Sequence, residues 1–216
     1  MDPQNHLSPE EEVKRYDLHE NHIRSPGYEG FLNQVILPVI ARARLQWNKH
    51  LDNPDNPDGD LVYQGPALRA LDYGSGPYPM LSQIMAERGI PMELYDPFYA
   101  PRSFSSREEE HYHIITCCEV AEHFHDPARE FSFLTRLLTP GGLLAIMTGI
   151  RYPHITLAGW HYLRDETHTS IYSPATMTWI ARKHGLTLTF AGKNVCLFEK
   201  MQRKETLSLT KPVYST

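Results

Sequence analysis

Two kinds of apolar pattern run along this chain. At helical spacing, Phe31, Val35, Val39 and Ala43, with Leu32, Ile36 and Ile40, form a broad stripe that predicts a helix over 28–50, kinked at Pro38. Shorter stretches with the same spacing predict helices over 9–22, 80–87, 127–138 and 174–184. Between them lie short, nearly unbroken apolar runs, which read as strands buried on both faces: Leu68 to Leu71, Met92 to Tyr95, Tyr112 to Cys118 and Leu143 to Thr148. Leu186 to Phe190 and Val195 to Lys200, around Gly192-Lys193-Asn194, predict an antiparallel pair. Strands that alternate with helices give an α/β fold: a Rossmann-like, doubly wound sheet, mostly parallel, closed by a C-terminal antiparallel hairpin.

Polar residues, prolines and glycines punctuate these runs. Ser8-Pro9-Glu10-Glu11, Asp126-Pro127 and Ser173-Pro174 are helix starts, with an N-cap side chain followed by proline in the first turn. Ser25-Pro26-Gly27, Thr139-Pro140-Gly141-Gly142 and Gly185 are stops. Leu51 to Gly59 is a turn-rich connector. It divides an N-terminal helical cap (1–52) from an α/β domain (60–201), and a polar tail follows (202–216). Residues 97–110 are proline-rich and then charged, so a strand expected there is short or absent.

Composition narrows the class. A net charge of −5 argues against a nucleic-acid partner, which needs a basic footprint. Cys117, Cys118 and Cys196 are odd in number and sit in apolar runs. They read as packed thiols in a reducing, cytoplasmic setting. No apolar run has the length of a membrane span, and the acidic, proline-containing start does not read as a signal peptide. Twelve histidines, several of them clustered, bring metal chemistry into question.

The stretch Ala67 to Pro79 carries the first chemistry. A short strand enters a turn at Gly74 and Gly76, where the missing Cβ atoms let backbone approach a ligand. About 20 residues on, a second strand ends at Asp96, the place where an open α/β sheet grips a ribose. A nicotinamide dinucleotide and S-adenosylmethionine both fit this spacing. The dinucleotide fingerprint wants a third glycine where this chain has Pro79, and Pro77 and Pro79 remove two donors from the helix start.

Asp72, Gly74 and Gly76 resemble motif I of class I S-adenosylmethionine-dependent methyltransferases. The segment Glu119-Val120-Ala121-Glu122-His123 and the Leu138-Thr139-Pro140-Gly141-Gly142 turn follow in that family's order. The resemblance implies cofactor contacts from Asp72, Gly74, Gly76, Pro77, Asp96, Pro97, Phe98 and Glu119. Phe98 or Tyr99 would flank the adenine, or else pack in the core. It also implies that the N-terminal helices lie over the cofactor. Tyr16, His19, His22 and Tyr28, with Trp160 and His161 from the aromatic loop at 149–171, would then line the pocket of a small-molecule acceptor.

E-x-x-E-H with a later histidine is similar to ubiquinone-pathway O-methyltransferases and to small-RNA 2′-O-methyltransferases. In the latter, two glutamates and two histidines hold a divalent metal, which here implies Glu119, Glu122, His123 and His168. That donor set suits Mg²⁺, Mn²⁺, Fe²⁺ or Zn²⁺. Alternatively His123 or His168 acts as a metal-free catalytic base, or is structural. The function implied is O-methylation of a small-molecule hydroxyl. Its rivals are an RNA 2′-O-methyltransferase and a non-catalytic protein that binds the cofactor.

Overall fold

A computed structural model describes residues 6–17, 24–47, 62–105 and 108–202. Its helices are α1 (Pro9–Tyr16), α2 (Pro26–Trp47), α3 (Met80–Glu87), α4 (Pro127–Leu137) and α5 (Pro174–His184). Its strands are β1 (Ala70–Tyr73), β2 (Glu93–Tyr95), β3 (Tyr112–Cys118), β4 (Leu138–Met147), β5 (Leu186–Phe190) and β6 (Val195–Lys200). They form one sheet in the order β2-β1-β3-β4-β6-β5. The first four are parallel, and the β5–β6 hairpin joins antiparallel to β4. No helix among the described residues is long and apolar enough to cross a membrane. The connector at 51–59 lies outside the described residues, as do positions 18–23 and most of the polar tail.

The unbroken apolar runs have a simple cause: both faces of the sheet are covered. On one face Leu143, Ala145 and Met147 of β4 pack with α2 and α3. On the other, Leu144 and Ile146 pack with Phe131, Leu134 and Leu137 of α4 and Met177, Ile180 and Ala181 of α5. Successive side chains of a strand point to opposite faces, so both sets are mainly apolar, and the buried polar pair Asp72 on β1 and Thr116 on β3 is hydrogen-bonded together. The stripe on α2 is therefore a layer of the core, with Leu32, Val35, Ile36, Val39, Ile40 and Ala43 all buried.

The helix starts form as the sequence suggests. Ser8 and Glu11 make a reciprocal capping box, and Asp126 and Ser173 accept from the backbone N–H groups of Arg129 and Thr176. Gly185 ends α5 in a left-handed conformation (φ 64°). Two segments differ from expectation. α1 closes at Asp17, with the residues beyond it undescribed. The Thr139-Pro140-Gly141-Gly142 segment is a bulge within β4, because Leu138 already pairs with Tyr112 and Leu143 with Ile114. Pro140 can give no ladder donor and Gly141 takes φ 77°, which suits a bulge better than a clean end. Residues 97–110 hold no strand among those described, only a bridge between Asp96 and Ala100.

Phe131 sits where α4, α5 and the sheet meet, 1% exposed, with its ring 5.9 Å from Tyr172 and 6.3 Å from Phe198. Phe131→Ala should lower the unfolding free energy by about 3–5 kcal/mol. Denaturant melts would show this as a lower midpoint with an unchanged slope.

Candidate active site

A cavity of about 810 Å³ opens at the C-terminal ends of β1, β2 and β3. There the chain turns to opposite sides of β1, and an open sheet leaves a crevice. Gly74 (φ 85°) and Gly76 (φ 64°) form its floor. The N–H groups of Gly74 and Ser75 donate to the Tyr95 carbonyl at 2.7 and 3.0 Å, and Gly76 N–H donates to Asp96 Oδ2 at 2.9 Å. Asp96 Oδ1 accepts from Phe98 and Tyr99 N–H. One buried carboxylate thus ties the glycine turn to the end of β2.

A Cβ on Gly74 would stand 2.4 Å from Val120 Cγ2, whereas one on Gly76 would meet nothing within 4 Å. Gly74 is therefore needed for the contact between two loops. Gly76 leaves open space above the turn.

Asp72 is among the residues that line the cavity, and it also links three elements. Both its oxygens are taken, one by Ser82 Oγ at 2.7 Å and one by Thr116 Oγ1 at 2.9 Å. It braces β1 against α3 and β3, and burial pushes its carboxyl pKa up. Pro77, Pro97, Phe98, Glu119 and Tyr28 do line the cavity. Glu119 holds a left-handed backbone (φ 52°), and burial, with the Glu122 charge, pushes its carboxyl up to about 8.

At the other end of the cavity the chain leaves β3 in a 3₁₀ turn, Ala121–His123. The loop after β4 returns to cover it: Ser170 N–H donates to the Glu122 carbonyl at 2.9 Å, and Tyr172 hydroxyl to the Ala121 carbonyl at 2.9 Å. Donor atoms of Glu122, His123 and His168 come within 4.8 Å of one another. Glu119 stands outside that group.

His123 Nδ1 lies 3.1 Å from the Thr167 carbonyl, and His168 Nδ1 lies 2.6 Å from the Tyr162 carbonyl. A carbonyl only accepts, so each ring donates from Nδ1, which in the neutral ring puts the lone pair on Nε2. That is how metal-binding imidazoles are usually oriented. Glu122 is fully buried and accepts from Thr148 Oγ1 at 2.8 Å and from the Tyr162 hydroxyl. Burial pushes its carboxyl up, and these two hydrogen bonds pull it back.

α1 lies across the cavity mouth. Tyr16 sets its ring edge-on to His123, 5.2 Å between centroids, and 6.0 Å from Phe98. Arg15 pairs with Asp165 at 3.1 Å, Glu12 with His125 at 2.9 Å, and the Tyr99 hydroxyl donates to Asp17 at 2.8 Å. His161 also lines the cavity. Trp160 is not among its lining residues; its ring stacks on Tyr162 at 5.2 Å. His19 and His22 lie outside the described residues. Burial pushes the thiols of Cys117 and Cys118 well up; Cys117 is packed in the core, whereas Cys118 is half-buried and lines the cavity. Tyr162 and Thr148 are site residues that no motif marks. Only the density of aromatics and histidines around Tyr162 hints at a role.

Residues 30–190 match the family of methyltransferase domains. Curated relatives include ubiquinone biosynthesis O-methyltransferases. That of Aeromonas salmonicida is 26% identical over 58% of this chain and 56% of its own length. That of Saccharophagus degradans is 25% identical over 43% and 39%. The chain spans about half the length of the first of these relatives and less of the second. Among solved structures, 1,6-didemethyltoxoflavin-N1-methyltransferase of Burkholderia thailandensis, with S-adenosylhomocysteine bound, superposes with a TM-score of 0.50. It is 15% identical over 91% of this chain and 92% of its own, a likeness of fold.

The two glycines should respond differently to a methyl group. Gly74→Ala forces Val120 aside at a left-handed backbone and should cost about 1–3 kcal/mol of stability. It should also weaken S-adenosylhomocysteine binding in calorimetry. Gly76→Ala meets only the backbone penalty, about 1 kcal/mol in thermal melts.

Proposed function

The chain belongs to the class I S-adenosylmethionine-dependent methyltransferases, and from that premise we propose that it methylates a hydroxyl of a small molecule, with a divalent cation beside the acceptor. The observation that carries this reading is the arrangement of the cavity, with the glycine turn and Asp96 at one end and Glu122, His123 and His168 at the other.

On this reading the cofactor's ribose lies at Asp96, whose carboxylate keeps acceptor capacity beyond its three backbone donors. Its methionine end lies over Gly74 and Gly76, with Glu119 and Tyr28 beside it. Bound there, the cofactor supplies a methyl on a good leaving group, and the protein's task is alignment and exclusion of water. α1 does the latter, with Tyr16 and the Arg15–Asp165 pair closing the mouth.

Glu122, His123 and His168 fit a cation on their own chemistry: one carboxylate and two imidazoles, each oriented by a carbonyl at its Nδ1. A cation there supplies Lewis acidity that lowers the pKa of the acceptor hydroxyl. Eight carboxyl groups line the cavity against three guanidinium groups, and five of the eight are not among those that burial pushes up (Asp72, Glu119 and Glu122). Such a wall suits a small acceptor better than a polyanion.

Asp96→Ala should weaken S-adenosylhomocysteine binding about ten- to a hundredfold, the worth of hydrogen bonds to a charged group. Unchanged binding, or NADH binding in its place, would overturn the cofactor placement. Protein stripped with chelator should lose methyl transfer to a panel of phenols and catechols and recover it with Mn²⁺ or Mg²⁺. Full turnover in excess chelator would instead leave His123 or His168 to work as a base without a cation.

A further inference from the structure

The loop after β4 does more than deliver His168. Its Tyr162 is 8% exposed and touches two of the three donors, through two different atoms. The hydroxyl donates to Glu122, and the main-chain carbonyl of the same residue accepts from His168 Nδ1 at 2.6 Å. The phenol ring also lies against the His168 ring, 4.2 Å between centroids.

The hydroxyl is itself fixed. Gly149 N–H donates to it at 2.8 Å, and Thr148 Oγ1 lies 3.0 Å away. A Cβ on Gly149 would stand 2.7 Å from the ring, so glycine makes the space in which the ring lies. Trp160 stacks on the ring's aromatic system at 5.2 Å.

We propose that Tyr162 is the positioning residue of the cation site: its hydroxyl holds the Glu122 carboxylate and its carbonyl holds the His168 ring, so that one side chain and its own backbone set two ligands at once. The proposal rests on the reading of Glu122, His123 and His168 as cation ligands. The hydrogen-bond inventory agrees with it. A carboxylate that binds a cation must be ionised and can only accept. Tyr162 and Thr148 then each give it one proton, on different oxygens, and each oxygen keeps a lone pair for an ion. Gly149 N–H in turn satisfies the phenol oxygen as an acceptor. Outer partners of this sort orient ligands, and their loss typically weakens a metal ten- to a hundredfold.

The test is calorimetric titration of full-length protein with MnCl₂, and separately with S-adenosylhomocysteine. Tyr162→Phe keeps the ring and its stack and removes only the hydroxyl. It should weaken Mn²⁺ at least about tenfold while S-adenosylhomocysteine affinity stays within about twofold. In Mn²⁺-dependent turnover, kcat at saturating methyl donor should fall and the KM for the donor should hold. Equal losses for Mn²⁺ and for the nucleoside would mean a general packing role and overturn the proposal. Wild-type Mn²⁺ affinity in Tyr162→Phe, with Glu122→Ala binding none, would overturn the proposal alone. Failure of the unaltered protein to bind Mn²⁺, or normal binding by Glu122→Ala, would overturn the ligand reading and this proposal with it. If Tyr162→Phe does not fold, Thr148→Val removes the other proton from Glu122 at constant shape. It must show the same split between Mn²⁺ and nucleoside, and an unsplit or absent effect would count against the proposal.

Discussion

A carboxylate with no exposed surface is costly unless its oxygens are answered by donors, and Glu122 is such a group. Much of the site's irregular backbone serves that need. The strap from Gly149 to Tyr172 has no regular strand and only one short 3₁₀ turn, His161–Arg164, yet it is pinned where it passes Glu122. Tyr162 and Thr148 answer the carboxylate, Ser170 answers the Glu122 carbonyl, and Thr169 and Ser170 both reach the Phe124 carbonyl. Without Glu122 the strap would lose a shared anchor. Without the strap Glu122 would keep only the Thr148 hydroxyl of its two side-chain donors.

The sheet makes this possible by being dry on both faces. Helices above and below leave little room for polar groups along β1, β3 and β4, where the buried Asp72 and Thr116 answer each other, so most of the chemistry is placed where the strands stop. Gly74 follows the end of β1, Asp96 the end of β2 and Glu119 the end of β3. The three lie on one rim because parallel strands end on one side. Close approach then does the rest: the loops after β1 and β3 touch at Gly74 and Val120, which a side chain on Gly74 would prevent.

Much of this was legible in the sequence because it depends on local rules. Proline after an N-cap residue marked α1, α4 and α5, and apolar continuity marked β3 and the later half of β4. The glycine turn and Asp96 could be read from spacing. What could not be read depends on long-range contact. Asp72 carries the motif, and both its oxygens accept from Ser82 and Thr116, neither of which is adjacent in sequence. Glu119 and Glu122 look equivalent in E-x-x-E-H, yet the left-handed backbone at Glu119 and the 3₁₀ turn after it part them. Tyr162 lies 40 residues from Glu122, and no period or motif links two such positions. The Pro-Gly-Gly segment reads as a stop because bulges share their residues with turns; only the pairing of Leu138 with Tyr112 tells them apart.

The acid-rich wall of the cavity bears on the direction of the proposed reaction. Besides Asp72 and Glu122, the carboxylates of Glu12, Asp96 and Asp165 line it, with Glu12 beside His125 and Asp165 paired with Arg15. Burial, with the neighbouring Glu122, pushes the Glu119 carboxyl up, so it contributes less negative charge than the others. A cavity of this sign attracts a cationic methyl donor, and the attraction is stronger away from bulk water than in it. Methyl transfer removes the sulfonium charge, so the product is held by hydrogen bonds and packing with that attraction gone. The same charges that gather the donor therefore help to release what remains of it. The attraction is strongest where water is excluded, and on the proposed reading α1 contributes to that exclusion: its Arg15 pairs with Asp165 at the rim, and its Tyr16 sets its ring edge-on to His123.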